Sequence, residues 1–199
     1  MTIFHAAYIA ALIVEAIIRI PYNQRRKQIK VSVNRLTSGD NALLGLLFLG
    51  MFLLPVLLIF TPWLNFANYT LPAWAGRLGI ALMAASVLVF WRAHLDLGRN
   101  WTPTVQILEQ HRLVETGLYA WIRHPMYAAQ WLWALGQPLL LQNWLAGLLG
   151  ALVFVPLYLY RVAHEERMMV EQFGEQYQAY MARTGRVLPK YGARSENQG

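Results

Sequence analysis

Apolar runs of membrane-spanning length alternate with short polar segments along most of this chain. The first run covers residues 3–20, about 18 residues, which just reaches across ~30 Å of hydrocarbon at 1.5 Å per residue. Glu15 sits inside it, where a carboxylate at a helix centre costs ~2.5–3.5 kcal/mol on insertion scales. Arg19 lies four residues on, on the same helical face. The two form a local ion pair or line a polar cavity, and both readings stand. Residues 21–40 read as a polar loop with Arg25, Arg26, Lys27, Lys30 and Arg35. Ser38 or Asp40 can cap the next helix. The second run, 41–62, contains Pro55, whose missing N–H predicts a kink. The loop 63–71 carries Trp63 and Tyr69 and neither Lys nor Arg. The third run, 72–94, is entered by Pro72 at a first-turn position.

A polar segment, 95–125, follows and cannot be embedded in hydrocarbon. The runs 126–141 and 144–162 are joined only by Gln142-Asn143, which predicts an antiparallel helical hairpin. Its first arm is short for a crossing, at roughly 24 Å. From His164 to Arg183 the pattern becomes amphipathic: Met169, Val170, Phe173, Tyr177, Tyr180 and Met181 recur at three- and four-residue spacing. Pro189 and a polar tail follow.

Composition agrees with a membrane protein. Hydrophobic residues make up 57% and charged residues 14% of the 199, against roughly 25% charged in soluble domains. The eight Trp suit two membrane interfaces. With no Cys, disulfides, thiolate metal sites and Cys nucleophiles are excluded. The net charge of +7 is concentrated in 21–40, 92–125 and the part from Arg161 onward. The opposite turns carry no Lys or Arg apart from Arg77 near a helix start. This bias predicts about five transmembrane helices, the amino terminus outside and the carboxyl terminus cytosolic. It argues against nucleic acid, which needs a basic surface on a water-exposed fold. The first run lacks a positive leader and a small-residue cleavage site, so it reads as a retained helix.

The expected fold is thus all-α and polytopic. It comprises a scaffold over 1–94, a cytosolic site from the 95–125 segment and the carboxyl-terminal helix within 95–190, and a tail over 191–199.

Pro125 sits where it can start the fourth helix, whose free amides would then suit a carboxylate or phosphate, with Arg123 and His124 beside them. A plain capped helix start at the membrane surface explains the same spacing. His111, Tyr119, His124 and Tyr127 supply rings and donors that can hold an adenine or a sulfonium, or can form an interfacial aromatic belt. Arg161 precedes Glu165-Glu166 by one turn. A Glu there can accept ribose hydroxyls and Arg161 can orient a substrate carboxylate; a solvated ion pair is the plain alternative. No Gly-x-Gly-x-x-Gly, phosphate loop, metal-ligand spacing or Gly-x-Ser-x-Gly occurs.

The run His111-Arg112-Leu113-Val114, Gly117, Tyr119, Arg123-His124-Pro125-Met126-Tyr127 resembles the cofactor motif of isoprenylcysteine carboxyl methyltransferases and their prokaryotic relatives. Gly136, Arg161-x-x-x-Glu165-Glu166, Phe173-Gly174-x-x-Tyr177-x-x-Tyr180 and Pro189 continue it in order, over roughly residues 98–190. The resemblance implies an integral membrane methyltransferase using S-adenosylmethionine. By position, Gln106, His111, Leu113, Val114, Tyr119, His124, Pro125, Tyr127, Glu165 and Glu166 would contact the cofactor and Arg161 the substrate. The acceptor would be lipophilic, a carboxylate, thiol or amine reaching the site from the bilayer among membrane lipids. The small size implies a prokaryotic version in the inner (cell) membrane. The rivals are a phospholipid N-methyltransferase, an NADPH-dependent reductase of the sterol-reductase-related type, and a non-catalytic membrane subunit.

Overall fold

The computed structural model describes residues 2–34, 37–102, 106–108 and 112–190. Helices dominate: α1 (Ile3–Lys27), α2 (Ser38–Phe48), α3 (Leu54–Phe60), α4 (Ala73–Leu97), α5 (Pro125–Leu141), α6 (Trp144–Phe173) and α7 (Glu175–Arg183). Two short strands, β1 (Val31–Asn34) and β2 (Gln106–Leu108), pair antiparallel with Val31 opposite Leu108 and Asn34 opposite Gln106. This ribbon is the one addition to an otherwise all-α, polytopic membrane architecture among the described residues. By length and composition, Ile3–Lys27, Ser38–Phe60, Ala73–Asn100 and Trp144–Phe173 can each cross a membrane. With its 17 residues, α5 is the shorter fifth apolar helix. Outward-facing Ile13, Ile17, Phe52, Leu88, Leu135 and Leu152 are exposed, as a lipid-facing surface requires.

Several boundaries differ from those the sequence suggests. Helix α1 runs through Pro21 to Lys27, so Arg25, Arg26 and Lys27 form its last turn rather than a loop. Pro72 is the N-cap of α4, just outside the first turn. Thr37 caps α2, in a capping box completed by the Asp40 side chain. Helix α6 passes without interruption from apolar to amphipathic sequence. It stops only at Gly174, whose φ of +54° and ψ of −128° favour glycine.

Pro55 has a more specific consequence than a kink. Its missing N–H leaves carbonyls one turn back without helix partners, and the chain widens there into a π-helical turn, Leu49–Leu53. Tyr8 of α1 donates to the Met51 carbonyl at 2.6 Å, and Gln137 of α5 donates to the Gly50 carbonyl at 2.8 Å. Gln137 Nε2 also reaches the Ala146 carbonyl, while its Oε1 accepts from Trp133 and Tyr8. This fully buried side chain therefore ties α1, the π turn, α5 and α6 together where no water is at hand.

The two ends of the bundle are built differently. At one, Asn143 caps α6 and donates to the Leu64 carbonyl and Asn68, while Gln142 accepts from Leu71. At the other, the carboxyl ends of α1 and α4 meet through Tyr22, His94 and Trp101 rings. Asp40 of α2 approaches Arg161 of α6 at that same end, where most of the cations lie.

Candidate active site

The segment 112–124 is pinned at several points. Arg112 donates its backbone N–H to Asn100 Oδ1, and Leu118 donates its own to Asp96 Oδ2 at 2.8 Å. Gly117 makes that turn with φ of +62°, and a Cβ there would sit 2.2 Å from the Asp96 carboxylate. Glycine is therefore required on two grounds, conformation and space. Tyr180 of α7 donates to the Tyr119 carbonyl at 2.7 Å. Arg183 pairs with Glu115 at 2.8 Å.

The residues after α7 complete the seat. Gly185 bridges Ile122 in parallel, accepting from the Arg123 N–H, and the Arg186 carbonyl accepts from the His124 N–H. Pro125 then opens α5 at its first helical position, as the sequence predicts, and no side chain caps that end.

Glu166 is committed to this assembly. Its carboxylate accepts from Arg123 Nε and Nη2 at 3.1 and 3.0 Å and from Arg186 Nη2 at 2.7 Å. His124 Nε2 lies 3.4 Å from it. Arg123 also donates to the Met181 and Thr184 carbonyls. The group locks the 121–124 stretch, α6 and the chain after α7 into one unit. Glu166 is buried and faces away from the cavity described next.

Glu165, its neighbour, does line a cavity of about 480 Å³, together with Leu113, Val114, Tyr119, His124, Tyr127 and Arg161. Seven of the eleven residues singled out from the sequence thus surround one space. Pro125 starts the adjoining helix, Glu166 belongs to the clamp, His111 lies outside the described residues, and of Gln106 only the backbone, in β2, is described. The Tyr127 hydroxyl donates to Glu165 Oε1 at 2.7 Å. Arg161 Nε stands 3.7 Å from Glu165 Oε1 and 3.9 Å from Asp40 Oδ1. Tyr119, Tyr177 and Tyr180 add rings, and burial pushes all three hydroxyls up from their usual range, so they remain neutral donors.

The cavity continues away from this polar end. Leu12 of α1, Leu44, Leu47 and Phe48 of α2, Met51 and Phe52 of the π turn, and Phe154 and Leu157 of α6 line it. On α2, Leu44, Leu47 and Phe48 lie further along the helix from its start than Asp40, and on α6, Phe154 and Leu157 lie one to two turns before Arg161. Phe48 and Phe52 stack at 5.0 Å, line the cavity and are also exposed on the protein surface. The lining is therefore charged around Glu165 and Arg161 and largely apolar along α2, the π turn and α6, where Phe48 and Phe52 also reach the protein surface. Glu15 and Arg19 also line it and their charges act on each other, so the fold is compatible with both of their readings, the local ion pair and the polar cavity wall.

Residues 78–171 match the profile of the isoprenylcysteine carboxyl methyltransferase family. A protein-S-isoprenylcysteine O-methyltransferase of Schizosaccharomyces pombe is 37% identical over 81 residues, which is 41% of this chain and 34% of the relative. The Homo sapiens protein of the same name is 31% identical over 118 residues, 58% of this chain and 42% of the relative. An Arabidopsis thaliana relative, protein-S-isoprenylcysteine O-methyltransferase B, is 28% identical over 118 residues, 58% and 60% of the two chains. The match thus spans less than two thirds of the length of these relatives. Among solved structures, the eukaryotic intramembrane Ras methyltransferase ICMT shares the fold, with a TM-score of 0.50 and 24% identity over 79% of this chain and 54% of that one.

Proposed function

From the match of residues 78–171 to the isoprenylcysteine carboxyl methyltransferase family, we propose that this membrane protein belongs to that family and methylates a lipophilic carboxylate acceptor with S-adenosylmethionine. The observation that carries the reading is the continuity of the cavity. A charged end at Glu165 and Arg161 shares one space with apolar side chains of α2 and the π turn, among them Phe48 and Phe52, which are also exposed on the lipid-facing surface; we read this as the way in for a lipid tail.

The residues fit the cofactor. The cavity's size falls within the ~300–1,000 Å³ of small-molecule sites. Glu165 can accept from ribose hydroxyls or face a cation, and His124, whose Nε2 lies 3.4 Å from Glu166 and whose Nδ1 lies 3.8 Å from Glu165, lines the cavity beside it. The uncapped start of α5, whose Met126 and Tyr127 line the cavity, favours a carboxylate. Leu113, Val114 and the tyrosine rings supply flat and apolar contact for a base.

Bound S-adenosylmethionine supplies an electrophilic methyl group on sulfur. The protein's part is to align and to exclude water, and alignment alone is worth up to ~7–11 kcal/mol in favourable cases. Arg161 orients the acceptor carboxylate, which is already a nucleophile, so no general base is needed. Leu12, Leu44, Leu47 and Phe48 take the lipid tail. The distribution of Lys and Arg supports a cytosolic charged end, with the amino terminus outside and the carboxyl terminus inside.

Titration of S-adenosylhomocysteine into the detergent-purified protein tests this. Saturable binding, lost in Glu165→Ala and His124→Ala while both remain monodisperse, is expected. Arg161→Ala should keep that binding and lose turnover. Binding of reduced dinucleotide instead would move the protein to the reductases, and binding of neither to a non-catalytic role.

A further inference from the structure

We infer that Asp40, on the first turn of α2, is a positioning residue for Arg161 and thereby sets the affinity for the acceptor; this rests on the methyltransferase reading above. Asp40 is 1% exposed. Its Oδ2 is fully engaged in the helix cap, accepting from the Thr37 N–H at 2.9 Å and the Thr37 hydroxyl at 2.8 Å. Its Oδ1 has no hydrogen-bond partner and lies 3.9 Å from Arg161 Nε, which has none either. A carboxylate serving only as a cap has no reason to carry an unpartnered oxygen into a buried site, where an unmatched charge is costly. The guanidinium supplies the compensation.

The Nε edge of Arg161 thus faces two carboxylates, Asp40 from α2 at 3.9 Å and Glu165 from its own helix at 3.7 Å, and their charges bias its orientation. A guanidinium carries its donors in a planar fork. Fixing it along the Nε edge orients the remaining nitrogens, and Arg161 lines the cavity while Asp40 does not. One cation between two carboxylates also leaves a negative balance, which favours a sulfonium nearby, while the guanidinium stays available to an incoming carboxylate. Asp40 therefore acts on the acceptor only through Arg161. The contact further couples α2, which carries the apolar channel residues Leu44, Leu47 and Phe48, to the charged end on α6.

The test uses the full chain in detergent, with S-farnesyl-N-acetylcysteine as acceptor. Asp40→Asn keeps a side chain that can cap but removes the charge. Thr37→Ala removes the cap but leaves the charge. The expected result for Asp40→Asn is an acceptor KM raised about tenfold or more, with the Kd for S-adenosylhomocysteine within about twofold of wild type. Thr37→Ala should lower Tm and leave the acceptor KM unchanged. Equal acceptor KM in Asp40→Asn and wild type overturns the inference, and so does a raised KM in Thr37→Ala matching that of Asp40→Asn. Wild-type protein that binds no S-adenosylhomocysteine overturns the methyltransferase reading and this inference with it. Binding with an unmoved KM overturns only the role of Asp40.

Discussion

Tyr127 and Glu165 meet across the α5–α6 interface, the phenol donating to the carboxylate at 2.7 Å. Tyr127 sits one turn into α5 and Glu165 one turn beyond Arg161, so this bond fixes the carboxylate relative to the start of α5. A hydrogen bond to a charged group contributes ~1.5–3 kcal/mol. Tyr127→Phe should therefore weaken S-adenosylhomocysteine binding by roughly tenfold or more at little cost to packing. Calorimetric titration measures it, and wild-type affinity in the variant would remove Tyr127 from the site.

Glu166 and its more exposed partner Arg186 should behave differently on mutation. Arg123 has a side chain 7% exposed, while that of Arg186 is 53% exposed. Removing Glu166 leaves the buried Arg123 guanidinium without its counter-charge, with the Met181 and Thr184 carbonyls as its remaining acceptors, and breaking a buried pair in this way typically costs ~3–5 kcal/mol. Glu166→Ala should lower thermal stability steeply, whereas Arg186→Ala should cost no more than about 1 kcal/mol. Melting curves in detergent, read by intrinsic Trp fluorescence, separate the two. Similar losses in both would contradict the clamp.

Pro55, Tyr8 and the π turn form a set that a double-mutant cycle can test. Tyr8→Phe leaves the Met51 carbonyl without a donor, at a cost of ~1–3 kcal/mol for a buried unsatisfied group. In a Pro55→Ala background the helix regains its own N–H, and the cost of Tyr8→Phe should shrink. Additive effects on Tm would show that the proline and the tyrosine are unconnected.

The lipid-facing opening predicts acceptor selectivity. A prenyl-tailed carboxylate should react far faster than its water-soluble truncated counterpart. Phe48→Asp, which places a charge beside the channel, should raise KM for the tailed acceptor and leave S-adenosylhomocysteine binding intact. Equal kcat/KM for tailed and truncated acceptors would rule out access from the bilayer.

Much of this protein is determined by local pattern. Apolar runs set the membrane helices, because backbone in hydrocarbon must satisfy its own hydrogen bonds. Pro125 sets the start of α5 and Gln142-Asn143 the hairpin, because both act within a few residues. The chemistry from Leu113 to Tyr127 and at Arg161 and Glu165 was legible as residue types at fixed spacing. Other features were decided only by the fold. Glu165 and Glu166 are equivalent as neighbours in sequence, yet the helical turn of about 100° between them sends one to the cavity and the other to the Arg123–Arg186 clamp. Gln137 and Tyr8 stand in apolar runs, and only the packing of α1, the π turn, α5 and α6 supplies their partners. Asp40 reads as a helix cap, and that is all its local sequence can express. Its nearness to Arg161, 121 positions along the chain, comes from the packing of α2 on α6, a contact between side chains that no short stretch contains.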